Sequence, residues 1–236
     1  MPANIQAQAG EGQITMFEIE SNYGKPVDVS QGVIELTYYE SILDCTVRAS
    51  ATFVDSGYRK SASSVSVIEK DDVNLNVGEK INLKMKDGNN FELKFTGNNK
   101  LRVLETRNVD ESVNKVIYTI DMTSLEYHDN DNLETAVTKR YDGKIHDNVK
   151  NILSSVLKTK KKIDCDNVLN DFNFTGKSQK PFYICTWLAK RSVPDTKSAK
   201  GILAGFLFFE NYDGFRKNLY FLILLDQYPK DIMQRY

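Results

Sequence analysis

INLKMKDGNNFELKFT (residues 81–96) decides the fold class. Ile81, Leu83 and Met85 alternate with Asn82, Lys84 and Lys86. A period of two sends one set of side chains inward and the other outward, as in a half-buried strand. Asp87-Gly88 opens a short polar loop of the kind that reverses a chain tightly. Phe91, Leu93 and Phe95 then point inward on the return. Two alternating runs around Asp-Gly predict an antiparallel hairpin.

The same period extends in both directions. Upstream, ITMFEIE (14–20) places Ile14, Met16 and Glu18 on one face, with Thr15, Phe17 and Ile19 on the other. VIELTYYE (33–40) and CTVRASATFVD (45–55) follow, and in the second Cys45, Val47, Ala49, Ala51 and Phe53 share a face. Downstream, LRVLETR (101–107) and KVIYTIDMTSLEY (115–127) flank a polar connection at 108–114. Val116, Tyr118, Ile120 and Met122 share a face there. By Tyr127 the chain has offered about six to eight strands, which predicts a sheet closing into a barrel or sandwich.

Beyond Tyr127 the period becomes helical. Asp129–Asn132 reads as an N-terminal signal, and Leu133, Ala136, Val137 and Tyr141 step at helical spacing until Gly143. Ile145, Val149, Ile152, Leu153 and Val156 then form one amphipathic stripe. KTKKK (158–162) suits the C-terminal end of that helix, as a solvated run of cations. FNFTG (172–176) is a short strand. Pro181 opens the next helix at its favoured first position. Phe182, Cys185, Leu188 and Ala189 are its buried stripe, Trp187 lies beside them, and Pro194 ends it. GFLFFEN (205–211) returns to strand. The expected class is α+β: a flexible arm at 1–13, an antiparallel β-barrel at 14–127, a small α+β module at 128–200, and further strands at 201–236.

Composition narrows the function. The 236 residues carry 31 basic and 32 acidic side chains, a net charge of −1, which gives no footprint for holding nucleic acid by its phosphates. Cys45, Cys165 and Cys185 are far apart and odd in number, so free thiols in a reducing compartment are expected. MPANIQAQAGEGQ (1–13) has neither the charged nor the apolar region of a signal peptide. The longest apolar run, Leu219–Leu225, falls far short of the roughly 20 residues that span a bilayer. A protein made in the cytosol, or released with something assembled there, is expected.

No catalytic or ligand-binding motif emerges. His128 and His146 have no second ligand at i+3 or i+4. HDNDN (128–132) fails as a calcium loop, because Glu134 stands where glycine is needed and Arg140 where glutamate is. Glycine patterns for nucleotides or a nucleophile elbow are missing. Asp164 and Asp166 read as a surface pair rather than an acid–base pair. Phe206, Phe208 and Phe209 lack the interleaved basic residues of a base-stacking platform, so core or subunit interface is expected.

Three regions carry a family resemblance: FVDSGY (53–58); TAVTKRYDGKIHDNVKNIL (135–153); and KPFYICTWLAKRSVP (180–194) with GFLFFENYDGF (205–215). Together they resemble the baseplate hub structural protein of contractile-tailed phages of the T-even type, particularly that of marine relatives. The Pro-Phe…Thr-Trp-Leu-Ala-x-x-Ser-Val-Pro block and the Tyr-Asp-Gly-Phe turn are its most specific parts. The resemblance implies a tail-tube-like barrel, an α+β module, and the start of a second tube-like domain at 201–236. It implies three copies in a ring, joining the tail tube to a cell-puncturing spike and leaving a channel for DNA that is not specifically bound. The implied partners are a spike or tail lysozyme protein, the tube protein and other baseplate proteins, in a virion tail assembled in the host cytoplasm. No cofactor, metal, catalytic residue or membrane insertion is implied.

Pro181 and Trp187 would set the helix, and Asp213 and Gly214 the turn. Tyr38, Tyr39, Phe53 and Tyr58 are candidates for core or ring interface. Relatives run longer, so residues 216–236 read as a truncated or frame-shifted end with an incomplete second barrel. The competing readings are another tail or secretion-spike structural protein, a spike-associated cell-wall hydrolase, and a nucleic-acid binder.

Overall fold

The computed structural model describes residues 12–21, 26–55, 75–86, 91–112, 115–193, 206–213 and 216–223. It divides into two compact units, the first comprising residues 1–39, 47–128 and 212–216, the second 40–46, 129–211 and 217–236.

The first unit is an antiparallel sheet of eight strands. They are β1 (Gln13–Glu20), β2 (Val27–Asp28), β3 (Val33–Tyr39), β4 (Arg48–Asp55), β5 (Lys80–Lys86), β6 (Glu92–Phe95), β7 (Leu101–Ser112) and β8 (Lys115–Ser124). Their order is β2-β1-β5-β7-β8-β4-β3, with β6 also paired to β5. The outermost strands, β2 and β3, are consecutive in the chain, with residues 29–32 alone between them. Each residue reaches at most about 3.6 Å, so the sheet must curl until its two edges nearly meet. The rings of Phe17 on β1 and Phe53 on β4 are accordingly 6.0 Å apart, although β5, β7 and β8 separate them in the sheet. At the crossing from one edge to the other, a Cβ on Gly32 would lie 2.4 Å from the Val54 carbonyl oxygen, so only glycine fits.

Alternation fills the interior. Phe17, Ile19, Ala49, Ala51, Phe53, Ile81, Leu83, Phe95, Leu101, Val103, Ile120 and Met122 are buried in one cluster. On the inner face small residues sit beside large ones of the neighbouring strand, Ala49 beside Met122 and Ala51 beside Ile120. Bulges between Ile14 and Met16, and between Val33 and Glu35, bend the edge strands. Two sequence expectations change here. Phe91 precedes β6 and is 48 % exposed rather than inward. Residues 108–112, expected as a loop, continue β7 to Ser112 opposite Lys115, because backbone pairing needs no apolar side chains. The Asp87-Gly88 turn lies outside the described residues.

After β8 come α1 (Leu125–Asn130), β9 (Arg140–Tyr141), α2 (Ile145–Asn151), β10 (Lys162–Cys165), β11 (Phe174–Thr175), α3 (Pro181–Ala189), β12 (Phe206–Asp213) and β13 (Arg216–Ile223). The expected helix at 145–156 forms as α2, which runs on into a π-helical turn at Ile152–Val156 and buries Ile145, Val149, Ile152 and Leu153. The expected helix at 133–141 does not form. Asn132 caps a short 3-10 turn by accepting from the Glu134 N–H, and Leu133 is 91 % exposed. Val137 instead bridges to Gln179, donating its N–H to the Gln179 carbonyl. That pairing relies on Gly176, whose Cβ would lie 2.1 Å from the Val137 oxygen. A long-range contact thus overrides a local helical period.

The remaining strands form two small sheets, β9 with β11 and β10-β13-β12. β10 and β13 run parallel, with Lys162 opposite Asn218 and Cys165 opposite Phe221. β13, whose sequence is apolar from Leu219 to Ile223, is the central strand of that sheet. Residues 206–223, which the resemblance assigns to a second tube-like domain, are joined through β13 to β10 of the α+β module. Among the described residues no helix is long and apolar enough to cross a membrane.

Candidate functional site

The chemistry-bearing side chains come first. Burial pushes the Cys165 thiol up to about 12 and raises those of Cys185 and Cys45 as well. Such thiols hold almost no thiolate and are poor nucleophiles. His146 Nδ1 accepts the Val168 N–H at 3.3 Å, and Asp164 pairs with Lys162 at 3.7 Å. Among the described residues no group of three or more His, Cys, Asp or Glu side chains could hold a metal ion.

The structure separates the residues singled out from sequence. Phe53 is fully buried between Phe17 and Tyr118. Tyr38 is half-buried, its ring 5.5 Å from Phe95, whereas Tyr39 is exposed at the sheet edge. Pro181 occupies the first turn of α3, and the next N–H, of Phe182, donates to Asn130 Oδ1 at 2.8 Å. Asp213 ends β12, while Tyr58 and Gly214 lie outside the described residues, as does Pro194.

Trp187 belongs to an aromatic cluster. Its ring centroid lies 5.2 Å from Phe172 and 5.6 Å from Phe174, and Phe174 stacks on Tyr141 at 5.3 Å. The Arg191 guanidinium covers the indole at 4.1 Å. Beside it, exposed Leu169 donates its N–H to the carbonyl of exposed Val193.

Sequence reasoning missed a buried ion pair. Lys161 Nζ lies 2.7 Å from Glu210 Oε1, and Thr46 Oγ1 donates to Glu210 Oε2 at 3.1 Å. Lys161 is therefore not part of a solvated cationic run. It is buried, as are Glu210 and Thr46. The available signal was the lone carboxylate directly after Phe208 and Phe209. The next residue but one, Tyr212, packs 5.4 Å from Phe95, and its hydroxyl accepts the Lys94 N–H at 3.0 Å. It thereby caps a backbone donor of β6.

Among the described residues, no strand pairs with the outer edges of β3 and of β1 before Glu18. β2 covers β1 at Glu18 and Ile19, after which the chain crosses to the edge of β4. A cleft of about 660 Å³ is lined by residues of that crossing, Ser30 and Gln31, and by Ile14, Leu36, Lys86 and Leu93. This shape can receive an extended segment; it brings no acid, base and nucleophile together.

No protein-family model matches the chain, and no curated protein does. Solved structures share its fold at very low identity. The 43 kDa tail protein of prophage MuSo2 from Shewanella oneidensis matches with a TM-score of 0.51 at 9 % identity, over 87 % of this chain and 53 % of that one. A chain of the PdpA–VgrG complex from Francisella matches with a TM-score of 0.50 at 9 % identity, over 96 % of this chain and 30 % of that one. The chain thus spans about half the length of the first and under a third of the second. It shares with them a fold of a curled antiparallel sheet with a small helical part.

Proposed function

We propose that this chain is a non-enzymatic structural subunit of a phage baseplate hub, joining a tail tube to a spike and leaving a channel for DNA. The observation that carries the reading is the curled eight-stranded sheet followed by an α+β module, a fold shared with a prophage tail protein. The thiols, held protonated by burial, fit a mechanical rather than a chemical role. A net charge of −1 fits a wall that DNA slides past, since a basic lumen would retain it through phosphate contacts. The T-even type of hub is the form that the Pro181–Pro194 block and the Tyr212–Phe215 turn favour. Three copies would close through head-to-tail contacts.

Electron microscopy of the chain with spike and tube proteins should reveal a ring, and light scattering a trimer. A stable monomer that binds neither protein would sink the reading. The Francisella likeness favours a second reading, a spike protein of a secretion apparatus. Genes neighbouring this one would separate the two. Clearing of peptidoglycan in a zymogram by the purified chain would overturn both in favour of a hydrolase.

A further inference from the structure

The open seam of the first unit has the properties of a site that takes a strand. Among the described residues no strand pairs with the outer edge of β1 between Gln13 and Met16, and none with the outer edge of β3. Unpaired edges invite an added strand, since their N–H and C=O groups already point outward at the right spacing. The cleft is lined by Ile14, Leu36 and Leu93, which give alternate apolar side chains of such a strand somewhere to go, and also by the polar Gln13, Gln31 and Lys86. Direction is constrained too. Successive antiparallel pairings from β1 to β3 leave these two strands running oppositely. One inserted strand can therefore be antiparallel to only one of them, and the stretch adjoining the β2 pairing, which carries the bulge between Ile14 and Met16, is on β1.

Charge selects the occupant. Lys84 lies directly opposite Lys94, a like-charged cross-strand pair that costs stability in isolation. Lys86 follows on the same face, and among the described residues Glu92 lies opposite Lys86 and 2.8 Å from Lys94. Met16 is the β1 partner of Lys84, and Gln13 that of Lys86. Side chains of an incoming strand opposite Met16 and Gln13 would thus share a face with two cations one strand away. Glu35 on β3 is the carboxylate on the opposite rim.

We propose that this seam accepts an extended, acidic segment of a partner protein, paired antiparallel to Gln13–Met16, with alternate apolar side chains in the cleft and carboxylates toward Lys84 and Lys86. The proposal is independent of ring formation. A chain that forms the ring but captures no peptide loses only the seam, and the reverse loses only the ring.

The test uses the whole chain and three labelled peptides of about nine residues, a usual strand length. One alternates Val and Glu, one alternates Val and Lys, and one is the Val/Glu peptide with prolines at the positions whose N–H groups would pair. Fluorescence anisotropy should show binding of the first alone. It should weaken at least about fivefold in the Lys84→Gln/Lys86→Gln variant and with added salt. Thermal melting checks that this variant folds, and slowed amide exchange at residues 13–16 of the unaltered chain locates the peptide. Equal binding of the Val/Lys peptide, no binding by any peptide at millimolar concentration, or protection elsewhere would overturn the proposal. So would duplex DNA binding with the same lysine dependence, which would make the lysines a phosphate surface.

Discussion

The two units solve the same packing problem with different materials. The first is held by a mainly apolar interior whose large members, such as Phe17 and Ile19 or Ile81 and Leu83, recur every second residue, and its register follows from that pattern. The second places a lysine, a glutamate and a threonine hydroxyl in its interior, from residues 46, 161 and 210. Apolar contacts tolerate small shifts. A buried ion pair does not, because a charge moved off its partner is left desolvated and uncompensated. Alternation can therefore specify a large regular sheet, whereas three irregular segments that meet once need a polar contact to fix where they meet.

The largest test of that contrast removes one member from each interior. Glu210→Ala should cost about 3–5 kcal/mol by removing the carboxylate 2.7 Å from the buried Lys161 ammonium. Phe53→Ala should cost about as much, through lost burial and a cavity. Denaturant melts measure both. The difference lies in rescue: Lys161→Met added to Glu210→Ala should recover most of the loss, and failure to recover it would mean that the pair does more than compensate charge. Next in size, Gly32→Ala should cost about 1–3 kcal/mol, since its Cβ meets backbone rather than a movable side chain. An unchanged melt would show that the edge crossing adapts.

Two carboxylates of the first unit give smaller, pH-dependent effects of opposite sign. Burial raises the Glu79 carboxyl, and Glu79 Oε2 is buried without a hydrogen-bond partner. The folded state then holds its proton more tightly than the unfolded chain. Stability from this group is present at low pH and is lost as pH rises from the ordinary carboxylate range through the folded value. Glu79→Gln should remove that loss and raise the melting temperature at neutral pH. For Glu20, burial alone would raise the carboxyl, but hydrogen bonds from Lys100 and Asn82 outweigh it and hold the group low. Its stabilisation is present above the ordinary range and fades as pH falls through the folded value, so Glu20→Gln should matter at neutral pH and not in acid. The smallest effect belongs to the second unit's surface: Arg191→Ala should cost about 0.5–1 kcal/mol, the scale of an exposed cation–π contact over Trp187.

These differences also explain what the sequence let a reader see. Strands β1 and β3 to β8 could be read because alternation is written residue by residue, and α3 because Pro181 marks its start. The stripe from Ile145 to Val156 foretold α2 for the same local reason. The ion pair was invisible because Lys161 sits among other lysines, and nothing local distinguishes the buried one. The parallel pairing of β10 with β13 was equally hidden, since an apolar run does not say which strand it will join. Leu133 to Tyr141 misled because a helical period is only a local preference, and Gly176 lets a distant backbone outbid it. The seam went unread for a related reason: Gln13–Met16 looks like any strand until its neighbours are counted.

Tyr212 has a consequence for synthesis. The first unit completes its interior with a ring from β12, far downstream of β8, and that tyrosine's hydroxyl also satisfies a backbone donor of β6. A chain emerging from the ribosome can pair β1 through β8 early, but must wait for the helices and β10 to be made before that ring arrives. Until then Phe95 has the Tyr38 ring beside it but not that of Tyr212, and the Lys94 N–H does not have the Tyr212 hydroxyl. Nascent chains stalled before residue 212 should therefore be cleaved by protease near β6 more readily than chains stalled after it.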